Sequence, residues 1–343
     1  ERPAQVVKEL IENSIDAESS RITIEIERGG FDLIRITDDG SGIHENDLAL
    51  SLDRHATSKL SSEEDLAAIG TLGFRGEALA SIGMVSKLSI SSRPQGTEGR
   101  IIIMDNGNKG KIEPVGIAEG TSIEVSHIFA NQPARLAFQR RPATETSKIV
   151  DVVVSHAISH PEVGFRLVSD EKTILEVPAV DEMEDRLYDI LGRQAGKMIP
   201  ISAPPGDSDA PGEEKWTGWI STPDITRGKG DEIHVLINGR PVAAQPFLQS
   251  IRRGYKTRLM QGRHPVAVLL LNLPNDEVDV NVHPTKREVR LKHSWRVLER
   301  LERSIAYTLE STPTEPESSG GITGITSLAP QPEERRVVEK PAW

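Results

Sequence analysis

The sequence predicts a mixed α/β protein built as two successive α/β domains. Stretches with apolar residues at helical spacing interleave with stretches in which apolar and polar residues alternate, and the pattern restarts past Asn131. The length, 343 residues, also favours two domains, each able to bury its own core. Residues 5–17 place Val6, Val7, Leu10 and Ile11 on one helical face, with Glu9, Asn13 and Asp16 on another. Ile22, Ile24 and Ile26 alternate with polar residues, and Leu33 to Thr37 is a second short apolar run, so both read as strands. Helices are expected near 46–60, 62–68 and 76–83, and strands near 86–92, 100–104, 111–115 and 121–126. The second domain opens with a helix around 145–158, strands near 163–169 and 173–177, and a helix near 183–191. Pro204, Pro205, Gly206, Pro211 and Gly212 mark an exposed loop over 203–215. Strands at 216–221 and 233–237 follow, the latter turned by Asn238-Gly239, a pair that tolerates positive φ. Leu248, Ile251, Tyr255 and Leu259 mark a helix, Val266 to Leu273 a buried strand, and Leu298, Leu301, Ile305 and Leu309 a closing helix. Between Ser311 and Pro332 the chain is dominated by Pro, Gly, Ser and Thr, too little apolar surface to offset ordering, so it reads as a linker toward a further domain. The expected domains are thus 1–135, 136–310 and a disordered segment over 311–343.

Composition narrows the function classes. The formal charge is −11, which argues against uniform attraction to DNA or an anionic membrane, so any nucleic-acid contact needs a local basic patch. There is no cysteine, which removes disulfides, thiolate zinc sites and a cysteine nucleophile. Metal chemistry must use oxygen or imidazole ligands. No apolar run approaches a membrane span and no signal peptide opens the chain, which is read as soluble and intracellular, with its start missing.

Three segments carry nucleotide chemistry. In the first, a helix brings Glu9 and Asn13 to one face roughly 6 Å apart, so the Asn13 amide can bind Mg²⁺ while Glu9 orients and deprotonates a water. The second is Asp38-Asp39-Gly40-Ser41-Gly42-Ile43, directly after a strand. A carboxylate at Asp38 accepts a hydrogen bond from the amine of adenine but meets the carbonyl of guanine acceptor to acceptor. Gly40 and Gly42 allow close backbone approach. The third, Gly70 to Leu79, is glycine-rich and leads into a helix whose N-terminal amides attract phosphate, with Arg75 as a nearby cation. It matches neither the Walker A pattern nor the dinucleotide fingerprint. Taken singly, each segment also reads as a solvated helix face or a glycine turn.

Together and in this order, the segments resemble the Bergerat-fold ATPases. Within that group the wording is that of the MutL mismatch-repair family: "KELIENSIDA" at 8–17, "DDGSGI" at 38–43, "RHATSK" at 54–59, "GFRGEALASI" at 73–82, "FANQPAR" at 129–135 and "VDVNVHPTKREVR" at 278–290. The resemblance covers about residues 1–310. It implies a Bergerat-type α/β sandwich followed by a ribosomal-protein-like α/β domain. It makes Glu9 the general base, Asn13 the magnesium-binding amide and Asp38, with Gly42 in the turn that follows, the adenine contact. Thr57, Ser58 and Lys59 fall in a lid segment, Gly73, Phe74, Arg75, Gly76, Glu77, Ala78 and Leu79 in a phosphate-binding turn, and Thr121 near the adenine. Lys286 becomes the lysine that the second domain sends to the γ-phosphate. The chain departs from the family at Asp39, where Asn is usual, and in lacking an opening segment with an "AAGEVV" string.

The resemblance implies a slow Mg²⁺-dependent ATPase, with ATP and Mg²⁺ as cofactors, whose cycle acts as a conformational switch. Implied partners are a MutS-type mismatch-recognition protein, a downstream nuclease or helicase, a second copy of the protein, and DNA bound weakly and largely without sequence preference. Arg252, Arg253, Lys256, Arg258 and Arg263, with no acid between them, are the candidate DNA-contacting patch. Competing readings are a gyrase-type subunit and a non-hydrolysing, nucleotide-gated scaffold. His283 reads as structural, and Trp216, Trp219 and Trp295 as packing residues.

Overall fold

The computed structural model describes residues 2–53, 78–205, 214–279 and 289–312. Thr57, Ser58, Lys59, Gly73, Phe74, Arg75, Gly76, Glu77, His283 and Lys286 lie outside them, as do the expected helix at 62–68 and nearly all of the expected linker.

The first layer is a sheet that is nine-stranded among the described residues, its main path running β5-β4-β3-β7-β2-β1-β8-β9. Its strands are β1 (Arg21–Glu27), β2 (Leu33–Asp38), β3 (Lys87–Arg93), β4 (Arg100–Asp105), β5 (Asn108–Lys109), β6 (Glu113–Pro114), β7 (Gly120–Ser126), β8 (Gly164–Ser169) and β9 (Lys172–Val177), with β6 paired to β4. Helices α1 (Pro3–Asp16), α2 (Glu45–Leu50), α3 (Ala78–Gly83), α4 (Pro133–Ala137) and α5 (Pro142–Ser159) intervene.

Alternation explains why one face of this sheet is covered. Ile22, Ile24 and Ile26 on β1 are fully buried while their neighbours stay half-exposed, and β2, β3 and β7 repeat the rule. Val6, Val7, Leu10 and Ile11 of α1 and Ile149, Val152 and Val153 of α5 complete this core. The opposite face is polar: Arg35 donates to both Glu25 and Glu124, and the Thr37 and Ser122 hydroxyls lie 3.0 Å apart.

Strand β8 runs parallel to β1, from Arg21 beside Gly164 to Ile26 beside Ser169. The first sheet therefore continues to Val177, past the boundary at 135/136 that the restart in the sequence pattern suggested. A parallel pairing needs a long crossover, here carried by α5, and leaves no local turn signal.

After α6 (Met183–Leu191) comes a second sheet, ordered β10-β11-β16-β13-β14. Its strands are β10 (Met198–Pro200), β11 (Lys215–Ser221), β13 (Ile233–Ile237), β14 (Arg240–Val242) and β16 (Ala267–Asn272); small two-stranded ribbons pair β12 (Thr226–Arg227) with β15 (His264–Pro265) and β17 (Val278–Asp279) with β18 (Arg290–Leu291). Helices α7 (Leu248–Tyr255) and α8 (Ser294–Ser311) pack on each other and complete a core with Val235, Ile237, Leu269 and Leu271. Asn238 and Gly239 both take positive φ and close the β13–β14 hairpin, as their sequence suggests. Trp216 is buried, donates to the Val297 carbonyl and meets the Phe247 ring edge-on. Trp295, by contrast, is 68% exposed, so it is not a packing residue; it sits on the outer side of α8.

The two sheets are not independent. Leu236 and Val268 point away from the α7–α8 core and are buried with Ile158 of α5 and Leu187 of α6. Strands β13 and β16 thus bury both faces, which is why Val266 to Leu271 is almost continuously aliphatic. We expect Leu236→Ala to cost about 2–5 kcal/mol, seen as a lower urea midpoint at unchanged slope.

Candidate nucleotide site

Register brings three polar side chains into one row on the buried face of the first sheet. Leu88 on β3, Val125 on β7 and Ile34 on β2 lie side by side, as do Ile90, Ile123 and Ile36. Two residues further along, the same parity delivers Ser92, Thr121 and Asp38. The core layer therefore ends in a polar row covered by the C-terminal half of α1.

Asp38 is the centre of that row and is 8% exposed. Its Oδ2 accepts from the Ser14 hydroxyl at 2.7 Å. Its Oδ1 accepts two longer bonds, from the Gly40 amide at 3.1 Å and the Thr121 amide at 3.3 Å. Desolvation is the largest influence and lifts the carboxyl above its ordinary value, while the bonds from Ser14, Gly40 and Thr121 pull it back. Thr121 and Ser92 hydroxyls are 2.9 Å apart, and Ser92 also accepts from the Ile43 amide. A chain of hydrogen bonds therefore runs from α1 through Asp38 to the Gly42-Ile43 turn.

Glycines hold that turn against its surroundings. A Cβ on Gly40 would lie 2.6 Å from the Ala17 carbonyl oxygen, and one on Gly42, at φ +74°, 2.8 Å from the backbone nitrogen of Pro94. The Ser41 amide bonds the Ala17 carbonyl just past the end of α1. Gly120, at φ +116°, brings its α-carbon so near the Asp38 carbonyl that no side chain fits. Asp39 faces the other way: its carboxylate accepts from the Ser20 hydroxyl and the Ser20 and Arg21 amides, tying the turn to the start of β1. Although burial opposes it, these bonds hold Asp39 below the ordinary carboxylate range.

Glu9 and Asn13 occupy successive turns of α1, both half-buried, with the Glu9 side chain 15% exposed. Asn13 directly precedes Ser14, the donor to Asp38, so the first two sequence segments converge. Of the third, only Ala78 and Leu79 are described; they begin α3, and Leu79 packs against the first core. Ser14 and Ser92 escaped the sequence reading. Their signal was a hydroxyl at a position where periodicity demands an apolar residue: Ser14 one turn after Leu10, and Ser92 two residues after Ile90.

Arg252, Arg253 and Lys256 lie elsewhere, on or just after α7. Helix α8 brings carboxylates to them: Arg253 is 3.9 Å from Glu302 and Lys256 pairs with Glu310. Arg252 makes no ion pair among the described residues. A separate cleft of about 340 Å³, between α5, α6 and β13, is lined by Val150, Gln194, Arg227, Glu232 and His234. Within it Arg227 donates to Glu232 and Gln194.

The donor set suits a nucleotide with its metal. One amide, Asn13, suffices for Mg²⁺ only when phosphates supply further oxygens, and among the described residues no cluster of three or more His, Asp or Glu gathers around an ion. Asp38 Oδ1, holding only long backbone bonds, can accept an additional N–H. Because its folded value is raised, Asp38 binds more protons folded than unfolded between its ordinary value and the raised one. Its contribution is thus fully present below the ordinary value and lost as pH rises through the raised one. Removing a donor widens that shift: Ser14→Ala should raise the Asp38 value further and cost about 1–3 kcal/mol at neutral pH, read by carbon-detected carboxyl titration and denaturation.

Comparison with known proteins matches the two α/β layers in turn. Residues 1–125 match the model of the histidine kinase-, DNA gyrase B- and HSP90-like ATPases, and residues 188–310 that of the DNA mismatch repair protein, C-terminal domain. The DNA mismatch repair protein MutL of Geobacter sulfurreducens is 40% identical over 314 residues, covering 91% of this chain and 51% of that protein. The chain thus spans about half the length of the curated relatives it matches. A crystal structure of the N-terminal domain of a DNA repair protein superposes with TM-score 0.74 at 25% identity, over 89% of this chain and 93% of that one. The Aquifex aeolicus MutL ATPase domain complexed with ADP gives TM-score 0.58 at 28% identity, over 80% and 92%. No described helix is long and apolar enough to cross a membrane. With its ATPase-type sheet, its second α/β layer and relatives along nine-tenths of its length, the chain belongs to the MutL family of DNA mismatch-repair proteins, of which it represents the ATPase region with its second α/β domain.

Proposed function

We propose that the chain binds Mg²⁺-ATP at the Asp38–α1 site and hydrolyses it slowly, and that this cycle switches the protein between conformations during mismatch repair. The observation that carries the reading is the buried row Ser14–Asp38–Thr121–Ser92 beneath the helix bearing Glu9 and Asn13. In this reading Asp38 takes a proton donor from adenine and Thr121 lies beside it. Asn13 and substrate phosphate would hold the metal, which supplies charge neutralisation on the phosphate oxygens. Glu9 orients the attacking water and accepts its proton; an ordinary glutamate is ionised at neutral pH and serves as a weak base.

Phosphoryl transfer depends chiefly on placing water in line and neutralising the departing phosphate, so few groups suffice. We assign the remaining γ-phosphate charge to Lys286 and the Gly73 to Leu79 turn, and the lid to Thr57, Ser58 and Lys59. A lysine from the second domain touching the γ-phosphate would distinguish ATP from ADP, the differential contact a switch requires. Such a switch would serve a MutS-type protein, a downstream nuclease or helicase, and pairing with a second copy.

Glu9→Ala should lower hydrolysis by roughly 10² to 10⁴ while leaving ATP affinity near the parent value, measured as phosphate release beside equilibrium nucleotide binding. Unchanged turnover would remove Glu9 from the chemistry. For DNA we propose the α7 patch, narrowed to the cation that α8 leaves uncountered: Arg252→Glu should weaken low-salt binding more than Lys256→Glu, and reduce its salt dependence. Equal effects in a filter-binding titration would show that the α8 carboxylates do not matter.

A further inference from the structure

Helix α1 carries a second charged face that the proposed chemistry does not use. Lys8 and Glu12, one turn apart, are 6% and 5% exposed, and the Lys8 ammonium donates to Glu12 Oε1 at 2.7 Å. A lysine stem long enough to carry its charge to water is here turned inward and tethered. The same ammonium lies 3.9 Å from Glu9 Oε1, and the Glu9 side chain is itself 15% exposed. One cation therefore faces two carboxylates of α1.

Helix α5 closes the group from the other side. Its Ile149, Val152 and Val153 share the apolar core with Val7, Leu10 and Ile11 of α1. On the same helix, buried His156 donates from Nδ1 to the Val152 carbonyl at 2.8 Å and brings Nε2 3.9 Å from Glu12 Oε1. Glu12 thus sits between Lys8 and a ring whose own position the α5 backbone fixes. With its acceptor held in this way, the ammonium is kept beside Glu9.

Stability does not account for the arrangement. Desolvating an ammonium and a carboxylate largely cancels their attraction, and apolar side chains of similar volume commonly join two helices as well or better. An apolar pair cannot, however, supply a fixed positive charge next to Glu9. So far from open solvent that charge is weakly screened, and it draws one oxygen of the neighbouring carboxylate to a set position.

We propose that Lys8 is a positioning residue for Glu9: anchored by Glu12, its ammonium fixes the Glu9 carboxylate in the orientation from which it meets the attacking water. Lys8 acts through Glu9 and not on the nucleotide. The proposal rests on Glu9 as general base and adds the group that aims it.

The test uses the full-length protein with Lys8→Met, Glu9→Ala, Lys8→Met paired with Glu12→Met, and Lys8→Met in the Glu9→Ala background. Each is followed by circular dichroism, ATP titration and phosphate release. Lys8→Met should lower kcat about tenfold with KM for ATP within about twofold, since the lost interaction aims the base without binding substrate. It also leaves Glu12 buried without that cation, so the melting temperature should fall; replacing Glu12 as well should restore the melting temperature and leave kcat low. In the Glu9→Ala background, Lys8→Met should change single-turnover hydrolysis by less than about twofold, because its effect passes through the carboxylate already removed. Where the paired variant stays unstable, this background decides. Recovery of the parent kcat in the paired variant would show that Lys8 only packs. A further loss of about tenfold in the Glu9→Ala background would show that it acts elsewhere. Either result overturns the proposal while the ATPase reading stands. If Glu9→Ala turns over as fast as the parent, or the parent hydrolyses no ATP, the reading beneath the proposal is lost with it.

Discussion

The hydrogen bond from Ser14 to Asp38 is the constraint on which the candidate site depends. It joins the helix that carries Glu9 and Asn13 to the strand that carries Asp38, across the top of an aliphatic core. Elsewhere in that layer, apolar side chains from α1 and β2 meet without direction, and contact area alone would tolerate small sliding of the helix. A 2.7 Å bond between two buried side chains does not. With the Ser41 amide held on the Ala17 carbonyl and Gly120 pressed against the Asp38 backbone, α1, the glycine turn and β7 share one frame.

Burial of Asp38 carries an energetic cost that the surrounding donors offset incompletely, as its raised carboxyl value shows. Asp39, its neighbour in sequence, has the opposite environment and is structural: it ties the turn to β1 through three donors. Adjacent carboxylates thus shift in opposite directions, Asp38 within the buried row and Asp39 at the exposed tie to β1. Two of the three donors to Asp39 are backbone amides, which need only an acceptor oxygen.

Much of this was legible in the sequence wherever structure follows local periodicity. Alternation over Ile22 to Ile26, the aliphatic run Val266 to Leu271 and the Asn238-Gly239 turn each dictate their element through nearest neighbours. Legibility fails where the partner is distant. Nothing near residue 164 announces that β8 runs beside β1, so the first sheet extends beyond the expected boundary. The basic run at 252–263 looks uncompensated because Glu302 and Glu310 approach from α8, roughly fifty residues on. The placement of Asp38 at the end of a strand, before a glycine turn, was readable from its motif. Ser14 and Ser92 became visible only when register placed their hydroxyls on the face that is otherwise greasy.

Strands β13 and β16 are wetted on neither side: α7 and α8 cover one face, α5 and α6 the other. Any rearrangement between the layers that opened this seam would present Leu236, Val268 and Leu270 to solvent. Lateral gliding of one layer over the other keeps those side chains dry and so meets less resistance than separation. The covered strands thereby favour shear over hinging, and they make the second α/β layer a poor candidate for life as a separate fragment.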